Sequence, residues 1–272
     1  MKVIGRESII SVLFLTIWLI VRVKLMISPQ TKSLEVIQYL SASIEAGESL
    51  LDDFTLRRLL KDVEAIPELV EKLSLKGLIY ILQGKVSEGM ELCERSISMA
   101  PSVSPSWTNY LSLLSSGVYL SRYNEVIDLA MKNINSCPVL LRQIINHASF
   151  TANLDLLNHA TGLVNKLRVE PLNVFETCDM QTFTLLKQNE TKAHRLSLLV
   201  HELMFIVESR KLKIIRSKVS VDNDGILGYH CILSTNDIGF ICSFNDELFD
   251  RIFDKNIDTT DCFAIFEGND EI

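Results

Sequence analysis

The chain is poor in residues that interrupt regular structure. Of 272 residues only 11 are glycine and 6 are proline, and no stretch is of low complexity. That excludes collagen-like and linker-rich architectures and leaves no candidate for a disordered connection. Basic charge is also short, with 27 Lys and Arg against 34 Asp and Glu, a net charge of -7. A general nucleic-acid binder carries a basic footprint, and none is present. The six cysteines, Cys93, Cys137, Cys178, Cys231, Cys242 and Cys262, form no C-x-x-C pair and do not cluster with histidine at ligand spacing. This argues against zinc and for reduced thiols in a chain that faces the cytosol. No G-x-S-x-G, phosphate loop, H-E-x-x-H or Gly-rich nucleotide motif occurs. Among the histidines only His194 and His201, two helical turns apart, show a regular spacing. The expectation is a chain with no catalytic residues, no metal and no cofactor.

What is present is apolar and acidic in an uneven way. Hydrophobic residues make up 47% of the chain, enough for one large or two smaller cores. From Asp222 onward twelve Asp or Glu face two basic residues, Arg251 and Lys255. This asymmetry reads either as a solvated acidic face or as a contact surface for a basic partner. Residues 9–21, opening at Ile9 and closing at Val21, form an apolar run followed at once by Arg22 and Lys24. The run reaches the ~20 residues of a membrane span only if those cations snorkel. Two readings stand side by side. The run is a single N-terminal membrane tether with the rest of the chain at the cytoplasmic face, or translation begins at Met26.

Proline placement organises the middle of the chain. Pro29, Pro67, Pro101, Pro138 and Pro171 follow one another at steps of 38, 34, 37 and 33 residues. Proline ends helices, so one proline per period marks the end of each helical hairpin. Between them apolar residues recur at three and four, as in Leu34, Ile37, Leu40 and Ile44. Helices are expected over 69–83, 86–99, 123–135 and 154–167, then over 172–188 and 192–210.

Residues 70–103 carry Gly77, Tyr80, Gly84, Gly89 and Pro101 at spacings of 3, 4, 5 and 12. This unit resembles the tetratricopeptide repeat, with Gly89 where that family usually has alanine. The neighbouring units, with Trp107, Ser121 to Glu125 and Ala130, or with Ala148, resemble it more loosely. The resemblance covers about residues 30–170 and implies a superhelix of helical hairpins whose concave face holds a peptide or helix of another protein. By that resemblance the inner face comprises Glu71, Ser74, Leu78, Ile81 and Leu82, then Thr108 and Leu111, then Arg142, Asn146 and Asn153. Ser74 and Leu78 stand where the chaperone-binding subclass has its carboxylate-gripping Lys and Asn, so that partner is not expected.

After Arg210 the period changes. Residues 213–221 and 226–234 alternate as strands around the hairpin signal Asp222-Asn223-Asp224-Gly225. As a calcium loop the same signal would need Glu at its twelfth position, where Cys231 stands. Residues 238–244 read as a third strand, 245–255 as a helix capped by Asn245, and 262–267 as a last strand. His230 and Cys231 are strand neighbours on opposite faces and cannot act as base and nucleophile together.

The fold class expected is mainly α: a tetratricopeptide-like helical-hairpin superhelix over residues 30–210, followed by a small α+β C-terminal domain over 211–272, with the apolar segment 1–28 in front. The function expected is a protein–protein interaction scaffold, its C-terminal domain giving a second contact or covering the groove. The alternatives are an enzyme active in the C-terminal domain and a membrane-tethered assembly factor.

Overall fold

The computed structural model of the protein describes residues 32–135, 137–167 and 177–269. The apolar run at 9–21, Met26, Pro29 and Pro171 lie outside the described residues. Among the described residues ten helices come first: α1 Lys32–Ala46, α2 Asp53–Glu64, α3 Leu69–Leu82, α4 Val86–Met99, α5 Ser104–Ser116, α6 Leu120–Asn133, α7 Leu140–Phe150, α8 Leu154–Lys166, α9 Thr177–Gln188 and α10 Glu190–Arg210. Local chemistry sets their ends. The Asp52 carboxylate accepts from Thr55 N at 2.6 Å and caps α2. Gly84, at φ +80°, takes the left-handed turn after α3 that a side chain would strain. Pro67, Pro101 and Pro138 fall between α2 and α3, α4 and α5, and α6 and α7. The sixth proline, Pro105, opens the first turn of α5, where its missing N–H costs nothing.

Helices α3 and α4 cross almost in backbone contact. A Cβ at Gly77 would stand 2.5 Å from Cys93 Sγ and 2.7 Å from the Gly89 carbonyl oxygen. A Cβ at Gly89 would stand 2.6 Å from the Gly77 oxygen and 2.7 Å from the Ile81 side chain. Hydrogen bonds carry the hairpin into its neighbours. Ser96 Oγ donates to the Val70 carbonyl at 2.8 Å, and Trp107 Nε1 donates to the Pro101 carbonyl at 3.0 Å. Glu94 on α4 accepts from Tyr110 OH at 2.8 Å and from Arg122 Nε at 2.7 Å, which ties α4 to α5 and α6. Helix α1 packs against α2, α3 and α5. Its Ser33 donates to Glu71 at the start of α3, and Gly47 just beyond its end lies on the Ser116 carbonyl at the end of α5.

The C-terminal part is a three-stranded sheet, β1 Ile214–Val221, β2 Leu227–Leu233 and β3 Cys262–Glu267, with α11 Ile238–Asp254 between β2 and β3. The order is β1-β2-β3, antiparallel between β1 and β2 and parallel between β2 and β3. The hairpin between β1 and β2 closes as its sequence predicts. Asp222 Oδ1 accepts from Asp224 N and Ile226 N at 3.0 and 2.8 Å, and Gly225 sits at φ +77°.

The strand expected over 238–244 is instead the first half of α11. Asp237, not Asn245, is the cap, accepting from Phe240 N at 3.2 Å. Ile241, Phe244, Leu248 and Ile252 recur at helical spacing and pack inward. The alternation of Ile238, Phe240, Cys242 and Phe244 suits a strand equally, and the inward stripe decides.

Helix α10 joins the two parts. It packs on α7's neighbours α6, α8 and α9 and on β2, β3 and α11. Ala193, Leu196, Leu199, Leu203 and Ile206 along it are fully buried. The buried side chains run without a break from Val36 in α1 to Phe266 in β3, one contiguous core. Tyr229 OH donates to the Phe150 carbonyl at 2.7 Å, and Lys211 Nζ donates to the Val118 carbonyl at 2.7 Å. No helix among the described residues is long and apolar enough to cross a membrane.

The close crossing yields a paired prediction. Gly77→Ala destabilises the protein by about 2 kcal/mol, because the clash is with backbone and exceeds the gain in helix propensity. Gly162→Ala in α8, where an added Cβ meets nothing within 4 Å, stabilises it by about 0.5–1 kcal/mol. Urea unfolding midpoints of the two variants check both signs.

Candidate functional site

The residues expected on an inner face are largely taken up by the chain's own core. Ser74, Leu78, Ile81, Leu82 and Leu111 are buried. Ile81 packs against Gly89 inside its own hairpin, and α1 lies across α3 and α5. These five lie in the chain's own core. Glu71 and Arg142 are exposed, and Thr108, Asn146 and Asn153 are partly so. Glu71 accepts from Ser33, Thr108 Oγ1 donates to the Pro105 carbonyl, and Asn153 Oδ1 caps α8 by accepting from Leu156 N at 3.0 Å. Asn153 lines a cavity of about 310 Å³ with His147, Asp128 and His201. The ten residues therefore divide into five buried ones, Ser74 among them, and five that are exposed or partly so.

A larger exposed surface lies on α11 and β3. Ile238, Phe249 and Phe253 are 76, 68 and 76% exposed. At 100° per residue Ile238, Cys242, Phe249 and Phe253 share one stripe of the helix. Beside that stripe run Asp246, Asp250 and Asp254, all exposed and without an ion pair among the described residues. Phe249, Ile252 and Phe253 on one side and Phe263 and Ile265 on the other bound a cleft of about 470 Å³. The free edge of β3 is only partly closed. Asn245 donates to the Phe266 carbonyl at 3.0 Å and accepts from Phe266 N at 2.8 Å. The backbone of Ala264, two residues back on the same side, faces the cleft.

The cations of this region are held in ion pairs. Arg251 Nη2 and Lys255 Nζ each donate to Glu202 at 2.7 Å, and the Arg251 guanidinium lies over the Phe205 ring. Arg210 pairs with Glu247, and Arg195 pairs with Asp258 and Asp261. Glu202 is 3% exposed. Burial pushes its carboxyl up, but the bonds from Lys255 and Arg251 outweigh that and hold it below the usual carboxylate range. With Arg251 and Lys255 bound to Glu202, the flank of α11 beside the apolar stripe carries only Asp246, Asp250 and Asp254 as charges.

On the outer face of the sheet three polar side chains from three strands meet. Ser220 Oγ lies 2.8 Å from His230 Nε2, and His230 Nδ1 lies 2.7 Å from Glu267 Oε1. The opposite face carries Cys231, whose thiol burial pushes up, and the buried Tyr229 and Leu227. The acidic bias of the C-terminal residues was visible in the sequence. Phe249 and Phe253 lie in the helix expected over 245–255, whereas a strand over 238–244 leaves Ile238 and Cys242 off their stripe, and Ser220 and Glu267 stand 10 and 37 residues from His230, outside any local motif. No group of three or more side chains suited to a metal ion occurs among the described residues. Comparison of the chain with protein-family models, curated proteins and solved structures returns no match.

Two acid-side predictions follow from the buried groups. Burial holds the His147 imidazole down to about 4, against an ordinary value of 6.5. Its contribution to stability is full above 6.5 and declines as pH falls toward 4, because the unfolded chain binds the proton first. His147→Gln flattens that part of a stability–pH curve measured by chemical denaturation. Glu202, with its folded value below 4.5, contributes above 4.5 and is lost as pH falls through the folded value. Glu202→Ala strands two cations against α10 and costs about 3 kcal/mol at pH 7, with hydrogen exchange rising first in α11.

Proposed function

We propose that the protein is a protein-interaction scaffold, a tetratricopeptide-like stack whose partner docks on the α11–β3 face. The tetratricopeptide reading is supported by the Gly77–Gly89 crossing, the left-handed turn at Gly84 and the prolines between successive helix pairs. The observation that carries the docking surface is the exposed stripe of Ile238, Phe249 and Phe253 beside the unpaired Asp246, Asp250 and Asp254. Apolar residues left in water together mark contact sites. An acidic flank selects a partner whose apolar residues are accompanied by Lys or Arg, and it disfavours an acidic membrane surface. The partner is thus another protein that presents a basic amphipathic segment, seated with its apolar face in the cleft. The groove inside the stack, covered by α1, serves in this reading as structure.

Fluorescence anisotropy with a labelled leucine–lysine amphipathic peptide, and a leucine–glutamate peptide of the same length, tests the reading. The cationic peptide binds and the acidic one does not. Phe249→Ser with Phe253→Ser weakens binding by at least about tenfold, on the scale of ~1–2 kcal/mol for a truncated anchor. Asp246→Asn, Asp250→Asn and Asp254→Asn together weaken it and flatten its salt dependence. Equal binding of both peptides, or unchanged binding by the phenylalanine variant, rejects the proposal.

A further inference from the structure

The Ser220–His230–Glu267 chain is a second cluster, running from β3 across β2 to the β1 edge, away from α11. The ladder explains how it forms. Ser220 is opposite Gly228 and His230 is opposite Lys218, so Ser220 and His230 share a face and lie one diagonal step apart. On the other side His230 is opposite Ile265 and Ile232 is opposite Glu267, which places Glu267 one diagonal step from His230 on the same face. The result is a slanting line of hydroxyl, imidazole and carboxylate across three strands.

The chemistry of the ends assigns the protons. A carboxylate only accepts, so Glu267 takes the hydrogen bond from Nδ1–H. That leaves the Nε2 lone pair toward the Ser220 hydroxyl, the tautomer a general base needs. A nucleophile within reach of a base, which a third group orients, is the arrangement by which serine is activated. The surroundings add two features. Ser220 and Lys218 line a cleft of about 640 Å³ between β1 and α9, whose other wall includes Met180, Thr184 and Leu185. Lys218 is exposed and has no ion pair among the described residues. Asp222 N donates to the Ile226 carbonyl at 3.1 Å, so by alternation Val221, next to Ser220, has its N–H on the free edge of β1.

We propose that Ser220 is a nucleophile toward carboxylic esters, with His230 as its general base and Glu267 as the positioning residue. Ser220 Oγ attacks the carbonyl carbon as its proton passes to Nε2. The carbonyl oxygen gains the negative charge, which Lys218 and the Val221 N–H are placed to receive. The ester C–O bond breaks and the alcohol leaves with the proton from Nε2. Water then adds to the acyl carbon, giving a proton to Nε2, and the carboxylic acid leaves as Oγ takes that proton back. The balance is ester and water to acid and alcohol, with no other reactant.

The test uses the full chain and a rhodamine-tagged fluorophosphonate. Ser220 Oγ displaces fluoride at phosphorus, and peptide mass spectrometry locates the adduct. The expected result is one adduct, on Ser220, which Ser220→Ala abolishes and His230→Gln slows by ~100-fold or more. Glu267→Ala loses most of the labelling, and Glu267→Asp, which keeps the charge, restores part of it. The same pattern holds for release of p-nitrophenol from p-nitrophenyl butyrate. Melting temperatures equal to wild type keep loss of labelling distinct from unfolding. The Phe249→Ser, Phe253→Ser variant labels as wild type, which separates this site from the docking face. No adduct on Ser220, or equal labelling of folded His230→Gln, overturns the proposal.

Discussion

Helix α10 has to bury apolar residues on two sides at once, and the arrangement of the C-terminal part depends on that demand. Toward the stack it packs on α6, α8 and α9, and toward the sheet on β2, β3 and α11. A three-stranded sheet with one helix is too small to hold together on its own burial. Here it borrows the core of the helical stack, and the fully buried Tyr229 reaches through to the Phe150 carbonyl. Glu202 belongs to the same constraint. A carboxylate so deep in the interface is tolerable only with cations, and Arg251 and Lys255 supply them from α11. Docking α11 on α10 through those two residues turns its remaining surface outward. The exposed apolar stripe and its acidic flank are consequences of how the inner side of the helix is satisfied.

In the proposed tetratricopeptide-like reading, the inner side of the stack is closed. In a repeat array the first helices line a concave surface open to partners. Here α1 lies on α3 and α5, and the apolar residues of that surface serve the chain's own core. The architecture of a binding array and the location of a binding surface are separate matters. The proposed binding surface lies instead on α11, where Ile238, Phe249 and Phe253 are exposed.

Much of the fold was legible in the residues, for reasons that differ by element. The bounds of α4 and β3 follow from their periodicity and end at the residues expected, Val86–Met99 and Cys262–Glu267. The turns at Gly84 and Gly225 are legible because only glycine takes those conformations cheaply. The close crossing was legible because two small residues twelve apart fit one hairpin geometry. Residues 238–244 misled because alternation over so few positions fits either period, and the cap at Asp237 competes with a plausible one at Asn245. The covering of the inner face by α1 was not legible, since which helix packs over which is decided by tertiary contact. The meeting of Ser220, His230 and Glu267 was not legible either. It depends on the register of two strand pairs, and a slip of one residue would send His230 to the opposite face.

In the proposed reading, partner binding takes place on α11 and β3 and leaves α1, α3 and α5 untouched. Hydrogen exchange of the full chain with and without the leucine–lysine peptide tests it directly. Added protection in α11 and β3, with unchanged exchange in α1, α3 and α5, is the expected result. Protection that appears in α1, α3 and α5, with α11 unchanged, would contradict it.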